Sequence, residues 1–228
     1  MMRPFSEAGK RVAVVTGASA VLASGVFLKT YPRWRSWCLS WGASEHEVAS
    51  ALPGDELMAH PDVVSTRAIS VSAPPNSIWP WLVQLGPGRG DVYTYDWIEN
   101  LLGLNIHSAD QILPEFQGLA AGDAQTLGNK GPVMRVAIKE SNQCLVLRSD
   151  DGNWVWAFVL MPDGDLTRLI SRNRIATPDA SRLSRLLTTY VMEPGSLIME
   201  RKMLIGIKQR AEFLHETGPS ECVQASEL

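Results

Sequence analysis

Residues 133 to 175 constrain the fold more than any other part of the chain. Four segments, "VMRVAIKE" (133–140), "CLVLRSD" (144–150), "WVWAFVLMP" (154–162) and "TRLISRNRI" (167–175), alternate with a period of two and are rich in β-branched and aromatic residues. They are separated by "SNQ", "DGN" and "DGD". Connections this short join antiparallel neighbours, because a parallel pair needs a crossover of a dozen residues or more. The pattern predicts a curved antiparallel sheet, and such a sheet needs a cover for its apolar face.

The cover follows in "EPGSLIMERKMLIGIKQRAEFLH", where Leu197, Met203, Leu204, Ile207, Ala211 and Leu214 recur at helical spacing. Glu193 and Pro194 suit the start of this helix, and Lys208 and Arg210 favour its later half. Upstream, "VVSTRAISVSA" reads as one more strand. Two short helices are expected after it. The first lies in "PPNSIWPWLVQLG", with Asn76 or Ser77 as cap, Pro80 in the first turn and Gly86 at the end. The second spans 94–104, with Trp97, Leu101 and Leu104 on one side. Strand, two short helices, antiparallel strands and a long helix make an α+β plan in which the sheet wraps around the C-terminal helix.

The N-terminus has a different character. From Val12 to Leu28 there are 17 residues without a charge, bracketed by Lys10, Arg11 and Lys29. As a helix this run is about 25 Å long, slightly short of a hydrocarbon core of about 30 Å, and snorkelling of Lys29 can cover the difference. In "YPRWRSWCLSW" the rings of Tyr31, Trp34, Trp37 and Trp41 alternate with Arg33 and Arg35, the mixture of a headgroup belt. An uncleaved single-pass anchor in the cell membrane is preferred over a signal peptide or a soluble apolar helix. The flanking basic residues are balanced and do not set its topology. Three cysteines, Cys38, Cys144 and Cys222, match neither a disulfide framework nor a zinc site, which places the globular part in a reducing, cytoplasmic compartment. The expected division is an anchor and belt at 1–40, a polar linker at 41–62, the globular domain at 63–217 and a flexible tail at 218–228.

Net charge is −3, from 21 basic and 24 acidic residues, so no global field gathers nucleic acid. No metal-ligand cluster or cofactor motif is present, and no cofactor is expected.

The order of elements, together with "WGASEHEVASALPGDEL", "PDVVSTRAISVSAPP", "GRGDVYTYDWIENLLGLNIHSADQILPE" and "EPGSLIMERKML", resembles the SRPBCC superfamily over roughly residues 40 to 215. This START-like group includes polyketide cyclases and dehydrases and lipid-transfer domains. The resemblance implies a helix-grip fold with a deep apolar cavity between sheet and C-terminal helix. It also implies a hydrophobic small molecule, such as a lipid, isoprenoid or polyketide-like compound, as partner. It supplies no universal catalytic residue, so a cyclase or dehydrase activity is the alternative, and a packed module without a ligand is a third.

Several residues are candidates for that cavity. "LGPGRGDVYTYDW" (85–97) contains three evenly spaced glycines, yet a helix precedes them where a dinucleotide site needs a strand. Arg89-Gly90-Asp91 would serve adhesion only on an exposed extracellular loop. A turn at the cavity mouth is the preferred reading, with Arg89, Tyr93 and Tyr95 as possible polar contacts. Asp96 and Glu99 form either a carboxylate pair for acid–base work or a capping box. His107 is either a proton carrier or a hydrogen-bonded structural residue. Trp81 and Trp156, like Trp79 and Trp154, belong to core or cavity wall. Glu200 falls inside the apolar stripe of the last helix and calls for a cationic partner, expected at Arg172 or Arg174.

Overall fold

A computed structural model of the chain describes residues 30–94, 109–127 and 131–218. The chain divides into two compact units, Met1–Cys38 and Leu39–Leu228. In the first, residues 30–38 are helical, the rings of Tyr31 and Trp34 lie 5.8 Å apart, and Trp34 and Trp37 are exposed. The apolar run 12–28 lies outside the described residues, as do the tail beyond Gly218 and all but Thr94 of the helix expected over 94–104. Among the described residues no helix is long and apolar enough to cross a membrane.

The second unit is α+β and has the helix-grip arrangement. Its elements are α1 (Glu45–Ala49), β1 (Val63–Val71), α2 (Pro75–Val83), β2 (Ala124–Thr126), β3 (Val133–Glu140), β4 (Cys144–Ser149), β5 (Trp154–Asp163), β6 (Leu166–Ile175), α3 (Arg182–Leu187) and α4 (Glu193–Thr217). A π-helical turn, Thr188–Met192, joins α3 to α4. All six strands are antiparallel, in the order β1-β6-β5-β4-β3-β2. The three expected hairpins are closed by Asn142, Gly152 and Gly164, at φ values of 62°, 74° and 60°. A β-bulge between Val136 and Ile138 bends the β3–β4 pair.

Period-two alternation gives the sheet two different faces. The inner face carries Val71, Leu145, Leu147, Phe158, Leu160 and Leu169, which pack with Ile78, Trp81 and Leu82 of α2 and with Met203, Leu204, Ile207 and Ala211 of α4. The outer face carries Ala68, Cys144, Val159 and Ile170, with Val146, Val155 and Ala157 beside them. These outer residues are covered by Leu52 and Met58.

Residues 41–62, expected as a polar linker, therefore form a layer of the domain. Ser44 and Glu47 make a reciprocal capping box at the start of α1. Glu47 also takes two hydrogen bonds from Arg168, at 2.8 and 2.9 Å. Burial raises the Glu47 carboxyl, but the Arg168 guanidinium and the Ser44 amide outweigh it and hold the group below its ordinary value.

The first short helix also differs from expectation. Its N-cap is Pro74, with Pro75 at the first helical position and no side-chain cap. Pro80 thus falls inside the helix, beyond the first turn where proline loses nothing. The helix ends at Val83, and Gly86 pairs instead with Asp91 across an isolated antiparallel bridge.

Candidate ligand-binding site

Between the inner face and α4 lies a cavity of about 440 Å³. Val63, Ile175, Trp154, Trp156, Met199 and Met203 supply much of its wall, and Pro87, Val92, Thr94 and Leu127 contribute from loops. Most of this surface is apolar. Polar groups gather where β1 and β6 meet α4: Ser65, Arg67, Asn173, Ser196 and Glu200.

Strand register explains the gathering. Residues directly opposite one another in an antiparallel pair share a face. Arg67 stands opposite Ser171, Ser65 opposite Asn173, and on the other side of β6 Trp156 stands opposite Asn173. α4 then lowers Glu200 onto this group. Its Oε2 accepts from Arg67 Nη1, and its Oε1 accepts from the Ser171 hydroxyl and from Asn173 Nδ2 at 3.1 Å. Arg67 also donates through Nη2 to Ser196 Oγ at 3.0 Å.

The network continues into the aromatic wall. Trp156 Nε1 donates to Ser171 Oγ at 2.9 Å, and Trp154 Nε1 donates to Asn173 Oδ1 at 2.8 Å. The two indoles stack with centroids 5.7 Å apart and planes 19° from parallel. Ser171 and Asn173 therefore each accept from a tryptophan and donate to the carboxylate. Glu200 is the hub that fixes the orientation of both rings. Arg67 is 0% and Glu200 7% exposed, so the charges share a low-dielectric environment in which pairing is required. Burial pushes the Glu200 carboxyl above its ordinary value, while the Arg67 guanidinium and the Ser171 and Asn173 donors pull against it.

The residues predicted from sequence fall in several places. Trp156 and Glu200 line the cavity. Arg172 does not pair with Glu200: it lies on the outer face opposite Thr66, because even-numbered residues of β6 point away from α4. There its Nε donates to Thr66 and its two Nη atoms to Asp55 and the carbonyls of Glu47, Val48 and Ser50, so it closes the C-terminal end of α1. Arg174 joins it on Asp55 at 3.2 Å. Trp81 is packed in the core, 1% exposed, in edge contact with the Tyr93 ring.

Tyr93 is also a core residue. Its hydroxyl donates to the Trp81 carbonyl at 3.2 Å, burial raises its pKa, and the Arg210 guanidinium lies 4.8 Å from its ring centre. Arg89 turns away from the cavity, donating to the carbonyls of Val83 and Phe116 and lying over the Phe116 ring, and burial lowers its pKa. Gly90 and Asp91 are buried, so the Arg-Gly-Asp tripeptide is not presented to a receptor. Tyr95, Asp96, Glu99 and His107 lie outside the described residues. Among the described residues no group of His, Cys, Asp and Glu is arranged to hold a metal.

Arg67, Ser171, Asn173 and Ser196 escaped the sequence reading. The available signal was parity: Arg67 shares its face of β1 with Ile69 and Val71, an odd place for a charge unless a carboxylate meets it.

The chain matches no protein-family model and no curated protein sequence. Similar solved structures include a polyketide-cyclase-like protein from Corynebacterium glutamicum, at 17% identity over 68% of this chain and 95% of that one, with a TM-score of 0.44. The KanY protein is 13% identical over 67% and 99% of the two chains, with a TM-score of 0.46. A protein from Mesorhizobium loti is 20% identical over 65% and 97%, with a TM-score of 0.38.

Proposed function

We propose that this domain binds a hydrophobic small molecule carrying one polar group, and that the apolar segment 12–28 tethers it beside the bilayer in which such molecules partition. The cavity carries the proposal. It has the size of a small-molecule site, its walls are mainly apolar, and five of its polar groups, Ser65, Arg67, Asn173, Ser196 and Glu200, gather on one wall with the buried Glu193 also in the lining, the combination that orients a ligand. Three methionines, Met192, Met199 and Met203, face it from one side, and their flexible thioethers adapt to irregular shapes.

An acid–base enzyme in the same cavity has less support. Glu200 accepts from Arg67, Ser171 and Asn173, so three of its roughly four lone-pair sites serve the network that holds α4 to the sheet.

Native mass spectrometry of the full chain, extracted in mild detergent from its own cells, tests the proposal. A reproducible extra mass released on denaturation, and its loss in a Met199→Trp variant that fills the cavity, is the expected result. Protein that remains empty after exposure to total lipid extracts would overturn it. Partition of the chain into the membrane pellet after alkaline washing, abolished by removal of residues 12–28, tests the tether separately.

A further inference from the structure

The segment joining the sheet to α4 has an unusual surface. Across "SRLSRLLTTYVM" (181–192) there is no acidic residue, yet there are two arginines and six large apolar side chains. Those six, Leu183, Leu186, Leu187, Tyr190, Val191 and Met192, are between 44% and 76% exposed. Soluble surfaces scatter single apolar residues, whereas a contiguous group of this kind marks a contact surface. Arg182 and Arg185 rise from the same helix, and Arg185 is held by a loose, solvent-exposed ion pair with Asp62 at 3.8 Å and a 3.4 Å hydrogen bond to the Ala180 carbonyl.

The same stretch forms the rim of the cavity. Thr188 and Met192, four residues apart, line it, and Met192 is at once a lining residue and 60% exposed. The apolar patch is therefore continuous with the cavity lining. The π-helical turn Thr188–Met192 sits at this rim, and such wide turns concentrate at functional positions in helices.

We infer that residues 182–192 dock on an anionic lipid surface, with the arginines at the headgroups, the leucines below them and the cavity mouth facing the acyl chains. The charge pattern selects this occupant. A basic, acid-free helix with an apolar face and a tyrosine at its edge matches the interface between headgroups and acyl chains of an anionic leaflet. What passes through the mouth depends on the ligand-binding proposal above, but the docking does not.

Spin labels on the full chain test it, in a Cys222→Ser background with Cys38 and Cys144 buried. Labels are placed at Leu187→Cys and Val191→Cys, and at Asp165→Cys on the β5–β6 hairpin as control. On phosphatidylcholine vesicles containing phosphatidylglycerol, the labels at 187 and 191 should lose collisions with a water-soluble nickel chelate and gain collisions with oxygen, while the label at 165 keeps its aqueous behaviour. Adding Arg182→Gln and Arg185→Gln, both exposed and outside the core, should return the first two labels toward water. Unchanged nickel collisions on vesicles would overturn the inference. So would equal burial on vesicles without anionic lipid, immobilisation without any lipid, which means a protein partner, or entry of all three labels. Neither collision readout depends on whether a ligand fills the cavity, so failure here is distinguishable from failure of the binding proposal.

Discussion

Arg67 and Glu200 sit in a part of the fold where neither charge is tolerated alone. Their joint presence sets the rotation of α4, because the carboxylate takes donors from both β1 and β6 at once. Turning the helix by one residue, about 100°, would carry Glu200 away from all three. Breaking a buried ion pair from one side leaves the other charge uncompensated, at about 3–5 kcal/mol, whereas replacing both partners with apolar groups is far milder. Arg67→Met and Glu200→Met should each lower stability by about that amount, and the double variant should lose much less than their sum. Urea unfolding of the three variants checks it, and simple additivity would show that the two side chains act independently.

Among the elements, α4 owes its closest approach to a glycine. A methyl group at Gly206 would lie 2.8 Å from the Tyr93 carbonyl oxygen, a backbone atom, and 2.9 Å from Tyr93 Cβ. Glycine to alanine inside a helix usually stabilises by about 1 kcal/mol; here the clash reverses the sign. Gly206→Ala should lower the melting temperature and speed amide exchange around residues 86–94, and an unchanged or raised melting temperature would contradict that packing. α1 offers a pH test. Because Glu47 has a pKa below its ordinary 4.5, its ionised form stabilises the fold at neutral pH. That contribution is complete above the unfolded value and is lost as pH falls through the folded one. Glu47→Gln keeps a capping-box acceptor but removes the charge. The stability gap between wild type and this variant should hold steady above about pH 5 and shrink as acid is added below 4.5. Elements were also the scale most legible in the sequence: four strands, their hairpins and the final helix follow from period and turn residues alone. β2 and α3 did not, because a three-residue strand has too few positions to display a period and α3 lacks an apolar stripe turned inward.

At the scale of the whole molecule, legibility falls because pairing between distant segments leaves no local trace. The alternation of β6 shows that Arg172 and Arg174 share a face, but not which face α4 covers. That β1 lies beside β6, bringing Arg67 to Ser171, is a register across about a hundred residues that only the assembled sheet reveals. Glu200 was recognisable as a buried charge, and its partner was not. The outer layer was hidden for the same reason: residues 41–62 read as polar until Leu52 and Met58 are seen against the back of the sheet. This layer decides where the domain can be cut. A chain begun at Val63 would have every described strand and the whole of α4, yet Arg172 would lose the carbonyls of Glu47, Val48 and Ser50, and Ile170, Val159 and Val155 would face water as one contiguous apolar sheet face. Expression from residue 63 should yield aggregates and expression from residue 39 a monodisperse protein, a contrast that size-exclusion chromatography reads directly. The stretch that looks most dispensable in the sequence is, by this account, what keeps the sheet from becoming a seed for its own aggregation.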